Sequence, residues 1–167
     1  ASSAVTAGAG TLVMAIPQSL YYGMSARVSE AMILPLPEKD GALGRESLPQ
    51  LLAALPEKGA LLVGPGLSQT PEVDDVLTAL IENCQAPMLI DADGINALSR
   101  HIDSIKKAQA PVVLTPHPGE MARLCGTSVA AVQADRIGTA REFARRYGVT
   151  LLLKGANTVI ACTNGEV

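Results

Sequence analysis

The chain has no tryptophan, one phenylalanine and three tyrosines among 167 residues, yet 48% of it is hydrophobic. Its core must therefore be aliphatic, built from Ala, Val, Leu, Ile and Met. Cysteine is equally sparse. Cys84, Cys125 and Cys162 are far apart, form no Cys-x-x-Cys pair and make no ligand cluster with His101 or His117, which excludes a disulfide framework and a zinc knuckle. They read as reduced, mostly buried thiols of a cytosolic protein. There is no basic excess: 13 Lys and Arg stand against 16 Asp and Glu, a net charge of −3. Nucleic acid and anionic membranes reward a basic patch and are poor partners for such a chain. No apolar run approaches the roughly 20 residues of a membrane span. The opening "AVTAGAGTLVMAI" (4–16) looks a little like a signal region, but it is cut by Gly8 and Gly10 and no basic segment precedes it. An initiator Met is missing too. At the other end, Asn164-Gly165 is a hairpin-turn signal whose return strand is not in the sequence. The chain reads as part of a longer protein, truncated at both ends.

What is present alternates regularly. Residues 11–16, 31–36, 60–64, 88–92, 111–116 and 149–155 are short β-rich runs, most of them wholly apolar. That is the pattern of a largely parallel sheet covered by helices on both faces. Between them lie helical patterns. Residues 70–84 open with Thr70 as N-cap, Pro71 at the first helical position and acids in the early turns; Val73, Val76, Leu77, Leu80 and Ile81 form the apolar stripe. Residues 128–148 read as one helix, from Ser128 to a stop at Gly148, with Arg141, Arg145 and Arg146 suited to its C-terminal dipole. Strand–helix–strand repetition predicts an α/β layered fold, and residues 1–167 read as a single partial domain.

In open sheets of this kind ligands bind beyond the carboxyl ends of the strands. The residues just after each apolar run are therefore the informative ones. "GPGLSQT" follows 60–63. Gly64 and Gly66 bare the backbone ahead of a helix N-terminus, a place for an anion, although the Gly-Lys-Ser/Thr element of a Walker loop is absent. "DADGINAL" follows 88–90. Asp91 and Asp93 could hold Mg²⁺ through water or cap the next helix. "TPHPGE" follows 111–114. Pro116 and Pro118 pin His117 at a strand exit where neither strand nor helix can continue, which points to a ligand contact. Glu120 suits the helix start, or a metal or phosphate site. "KGANT" follows 150–153. Lys154, Gly155, Ala156, Asn157 and Thr158 offer a cation, exposed N–H groups and a hydroxyl, a set matched to a nucleotide phosphate or ribose. Each signal is weak alone, and together they make a binding site.

Taken in order, "LLVGPGLSQT", "MLIDADGINAL", "VVLTPHPGEMARLCG" and "LLLKGANTVIA" resemble the ADP/ATP-dependent NAD(P)H-hydrate dehydratases, the C-terminal domain of many bifunctional metabolite-repair proteins, within the ribokinase-like fold. "AVTAGAGTLVMAIP" resembles that family's early helix and strand, so the likeness covers essentially the whole chain. The resemblance implies ADP-dependent dehydration of the S-epimer of hydrated NAD(P)H, with ADP or ATP as phosphoryl donor and Mg²⁺. It implies Gly66 and His117 as contacts to the hydrated dinucleotide and residues 154–158 as the adenine-nucleotide site. It leaves Asp91, Asp93 and Glu120 as weak metal candidates. It also implies a cytoplasmic homo-oligomer and an epimerase domain, fused or separate. The family's Gly-Asp element, which carries the catalytic base and an anion hole, has no counterpart up to Val167, so no catalytic residue is assigned and the fragment alone is expected to be inactive. Two other readings remain: a ribokinase-like small-molecule kinase of the hydroxymethylpyrimidine or thiazole-alcohol type, and a non-catalytic nucleotide-binding module.

Overall fold

The structure is a computed structural model that describes residues 1–56 and 58–167. The first part of the chain contributes helix α1 (Ser2–Thr6), strand β1 (Val13–Pro17), helix α2 (Tyr21–Ser25), strand β2 (Met32–Leu36), the short strands β3 (Glu38–Lys39) and β4 (Ala42–Leu43), and helix α3 (Leu48–Ala54). β1 and β2 pair in parallel, and β3 and β4 form a small antiparallel hairpin. The remainder runs β5 (Leu61–Val63), α4 (Pro71–Asn83), β6 (Met88–Ile90), α5 (Asp93–Arg100), β7 (Val112–Leu114), α6 (Pro118–Cys125), α7 (Val129–Ala134), α8 (Arg136–Tyr147), β8 (Thr150–Leu153) and β9 (Val159–Ala161). β5 to β9 make a five-stranded sheet in that order. β5 to β8 are parallel, and β9 returns antiparallel beside β8. The α/β reading of the sequence, with a mostly parallel sheet, is what the chain adopts.

Local chemistry explains the elements. The Thr70 hydroxyl accepts the Val73 N–H, Pro71 sits at the helix start, and Glu72 and Asp74 face the positive end of the α4 dipole. The stripe Val73, Val76, Leu77, Leu80 and Ile81 is buried throughout. At about 2 kcal/mol for each fully buried aliphatic side chain, it anchors α4 against the sheet. Leu36, Leu43 and Leu51 join the same core cluster from the first part of the chain.

One helical expectation fails in an instructive way. Residues 128–148 do not form a single helix. Ser128 caps α7 by accepting the Ala131 N–H, but Asp135 leaves helical geometry and its carboxylate accepts the Gly138 N–H, which starts α8 afresh. A side-chain acceptor beside a weak helix former outcompetes the backbone bond that would have continued α7. Gly148, at φ 66°, ends α8 as expected.

The cover of the sheet is also uneven. Each crossover from β5 to β8 steps the same way, and right-handed connections that do so place α4 to α8 on one face. On that face Met88, Ile90, Val112, Leu114, Leu151 and Leu153 are buried. On the opposite face Leu62 is 64% and Ile160 50% exposed, and Leu89, Val113 and Leu152 are only partly buried. Helices on both faces were expected from the apolar strands; the described residues cover one face closely and the other in part.

Candidate functional site

Because β5 to β8 are parallel, the four loops singled out in the sequence leave the sheet at one edge. The hydrogen-bond ladder continues past the strand ends and ties the loops to one another: the Asp91 N–H donates to Val63 O, the Thr115 N–H to Ile90 O and the Lys154 N–H to Pro116 O.

The first two loops are joined through backbone. Gly64, at φ 128°, lies so close to the next loop that a Cβ there would stand 1.8 Å from the Asp91 carbonyl oxygen. A Cβ on Gly94 would meet Ile90 at 2.8 Å and Gly64 Cα at 3.0 Å. Asp93 fastens the contact, its carboxylate accepting the Ser68 N–H at 3.1 Å and Gln69 Nε2 at 3.2 Å. Between the two aspartates Ala92 adopts φ 50°, ψ −119°, a conformation that disfavours any side chain. Gly66 is exposed, at φ 72°, with open space around it.

His117 proves to be the N-cap of α6. Its Nδ1 accepts the Gly119 N–H at 3.0 Å and the Glu120 N–H at 3.3 Å, while Glu120 Oε2 accepts the His117 N–H at 2.8 Å. This is a capping box with an imidazole in place of the usual hydroxyl. The other ring nitrogen, Nε2, lies 3.3 Å from Glu120 Oε1. Nδ1 is thus engaged with the chain itself, whereas Nε2 makes no hydrogen bond to Glu120 and, with the half-exposed ring, faces outward to ligand. Glu120 is buried, its carboxylate spent on the cap.

Lys154 Nζ donates to Asp91 Oδ1 at 2.7 Å, bridging the ends of β8 and β6 across β7. Burial pushes the Asp91 carboxyl upward, but hydrogen bonds from Lys154, Thr115 and the Ala92 N–H outweigh it and hold the group below the ordinary carboxylate value. Gly155 to Thr158 are exposed, with Gly155 at φ 154° and Asn157 at φ 59°. Among the described residues no group of three or more His, Cys, Asp or Glu could hold a metal ion. Asp91, Asp93 and Glu120 each have a protein partner instead.

Sequence reasoning missed Arg136. From the start of α8 its guanidinium donates to Ala156 O at 2.8 Å, Leu153 O at 3.1 Å and Lys154 O at 3.3 Å. The one available signal was the Asp135-Arg136 step ahead of Gly138, which marks a new helix start. Ser68 and Gln69 were missed as well, their partner being some two dozen residues away.

Comparison with known proteins identifies the family and the fold. The family model described as Carb_kinase, NAD(P)H-hydrate dehydratase, matches residues 1–167. The chain is 44% identical over 168 residues to the bifunctional NAD(P)H-hydrate repair enzyme Nnr of Moorella thermoacetica, covering 100% of this chain and 32% of that protein. It is 37% identical to the Nnr of Salinibacter ruber, over 99% of this chain and 31% of that one. The chain thus spans about a third of the curated relatives it matches. Among solved structures, the ADP/ATP-dependent NAD(P)H-hydrate dehydratase from Bacillus subtilis, co-crystallized with ATP/Mg²⁺ and soaked with CoA, superposes with a TM-score of 0.74 at 28% identity, over 97% of this chain and 55% of that one. A hypothetical protein from Streptococcus mutans shares the fold at TM-score 0.74 and 21% identity, over 96% of this chain and 55% of that one.

Proposed function

The chain belongs to the NAD(P)H-hydrate dehydratase family, and from that premise we propose that the protein it forms part of dehydrates hydrated NAD(P)H at the expense of ADP or ATP. The substrate is the S-epimer, which carries a hydroxyl on its reduced nicotinamide ring. The donor's terminal phosphoryl group passes to that hydroxyl. The C–O bond then breaks, phosphate departs with the oxygen, and loss of a proton from the neighbouring carbon restores the ring double bond. Hydroxide is a poor leaving group at neutral pH and phosphate a better one, so a kinase-like fold serves a net dehydration.

Residues 1–167 supply recognition as part of one ribokinase-like domain. Gly66 and the exposed ring of His117 take the hydrated dinucleotide. Lys154, Gly155, Ala156, Asn157 and Thr158 take the adenine nucleotide. Asp91 holds the Lys154 ammonium over the end of β7, and Asp93 keeps the Gly64–Gln69 loop in place for the other ligand. No residue described here is assigned as the catalytic base. Asp91, Asp93 and Glu120 each accept from a protein donor, and Mg²⁺ enters with the nucleotide phosphates, a mode that needs few protein ligands. An epimerase that interconverts the two forms of the hydrate is the natural partner, within a cytoplasmic homo-oligomer. Among the described residues no helix is long and apolar enough to cross a membrane.

The observation that carries this reading is the convergence of four ligand-competent loops at one sheet edge, tied across it by the Lys154–Asp91 pair. Its test is recovery of reduced-nicotinamide absorbance from the hydrate by the intact gene product with ADP and Mg²⁺. ADP-dependent recovery is expected, and Lys154→Ala should weaken ADP much more than it weakens the reduced dinucleotide. Accumulation of a stable phosphorylated product would favour a kinase that keeps its product, and absence of any nucleotide dependence would sink the reading.

A further inference from the structure

We propose that Arg136 is the positioning residue of the adenine-nucleotide loop. This rests on the assignment of residues 154–158 under Proposed function and goes beyond it, because Arg136 lies outside that loop and outside every motif that identifies the family here. The break at Asp135 is what aims it. With α8 starting at Arg136, the side chain reaches the turn between β8 and β9 rather than continuing along α7. Its guanidinium then binds the carbonyl oxygens of Leu153, Lys154 and Ala156. The remaining carbonyl of that run, Gly155 O, accepts the Thr158 hydroxyl at 3.3 Å.

Four consecutive carbonyl oxygens are therefore engaged by donors of the protein itself. A phosphate approaching this loop meets a backbone whose negative ends are already bound by a cation, and the charged donor makes those bonds stronger than ordinary amide bonds. Gly155 is part of the same device. At φ 154° it lies against the guanidinium so closely that a Cβ would stand 2.7 Å from Arg136 Nη2. In this arrangement most of the guanidinium faces the loop's own backbone. Three of its five N–H donors are spent on the loop's carbonyl oxygens, and its Nε is buried with no partner in the protein. It acts through the loop's shape.

The test uses the intact protein and follows ADP and the hydrated dinucleotide separately. Arg136→Ala should raise KM for ADP by about tenfold or more, as expected when several charge-assisted bonds are lost, with KM for the hydrate changed by less than roughly twofold. Millimolar guanidinium ion should restore part of the ADP affinity of Arg136→Ala and do nothing for Lys154→Ala. Arg136→Lys keeps the charge but not the fork, and should show the same selective ADP defect at smaller size; it serves if the alanine variant does not fold. Unchanged ADP KM in either variant would overturn the proposal. So would equal losses for both ligands with a fall in melting temperature and no guanidinium rescue, because that pattern means a merely structural arginine. If the wild-type protein depends on neither ADP nor ATP, the loop assignment and this proposal fall together. If it does depend on one of them and the Arg136 variants match it, only the positioning role is lost.

Discussion

The loop pair Gly64–Gln69 and Asp91–Gly94 and the loop Lys154–Thr158 sit at the same sheet edge but are shaped by different means. The first two are pressed together backbone to backbone, with glycine at the point of closest approach. The third is exposed, and it is shaped by a side chain seventeen to twenty residues earlier in the chain. Where two backbones touch there is no soft atom to yield, so the geometry is stiff and any added carbon is costly. Where a long side chain holds the turn, the holder can move. The difference suits the proposed division of labour, with a rigid wall for the dinucleotide and a compliant loop for a nucleotide that enters and leaves.

The sharpest way to break this contrast is to add one methyl group on each side. Gly64→Ala places its Cβ 1.8 Å from a carbonyl oxygen at φ 128° and should cost about 4 kcal/mol or more in urea unfolding. Gly155→Ala meets only the end of a flexible arginine, and should cost about 1–2 kcal/mol while weakening ADP. Equal costs would show that the two loops are equally stiff. A smaller effect separates cap from contact at His117. His117→Ala should lose about 1 kcal/mol of stability through two unsatisfied N–H groups, and His117→Asn, a good N-cap, should recover most of it. Raised KM for the hydrate in the asparagine variant, with stability intact, would mark the ring as a ligand contact. Normal KM there would leave it a cap alone.

The smallest effect concerns the ion pair that spans the two regions. The Asp91 carboxyl is held below its ordinary value in the folded protein. Its contribution to stability is therefore present above the unfolded value of about 4 and disappears as pH falls through the lowered one. Asp91→Asn should be less stable than wild type near neutrality by at most about 1 kcal/mol, since Lys154 is substantially exposed. The gap should close on acidification, as read from urea midpoints at a series of pH values. A gap independent of pH would mean that the pair contributes through packing and not through charge.

The same contrast explains what could be read from the sequence. Thr70 and Pro71 announce α4 because capping chemistry is local, and the apolar runs announce the strands for the same reason. Gly64 and the prolines around His117 were legible because each acts on its own backbone. Asp93 was read as a helix cap or a metal ligand. In the structure Ala92 holds the cap position, and Asp93 reaches back to Ser68 and Gln69. Arg136 left only the Asp135 step ahead of Gly138 as a local trace, and that marks a helix start without saying which carbonyl oxygens the side chain reaches, since these lie in another element. Side-chain contacts across the chain are set by the packing of elements, which residue pattern alone does not encode.

Strands β5 to β9 lie side by side in the order in which they are synthesised. No strand has to be inserted between two that are already paired. As the chain is made from its N-terminal end, each strand–helix unit can dock on the edge left by the one before it, and most pairings join segments that are near neighbours in sequence, which favours rapid assembly. The edge on which each new unit docks is the one left by the strand before it. Closure of Lys154 on Asp91 requires β8 to have arrived beside β7, so formation of that pair marks the moment when the parallel run β5 to β8 is in place.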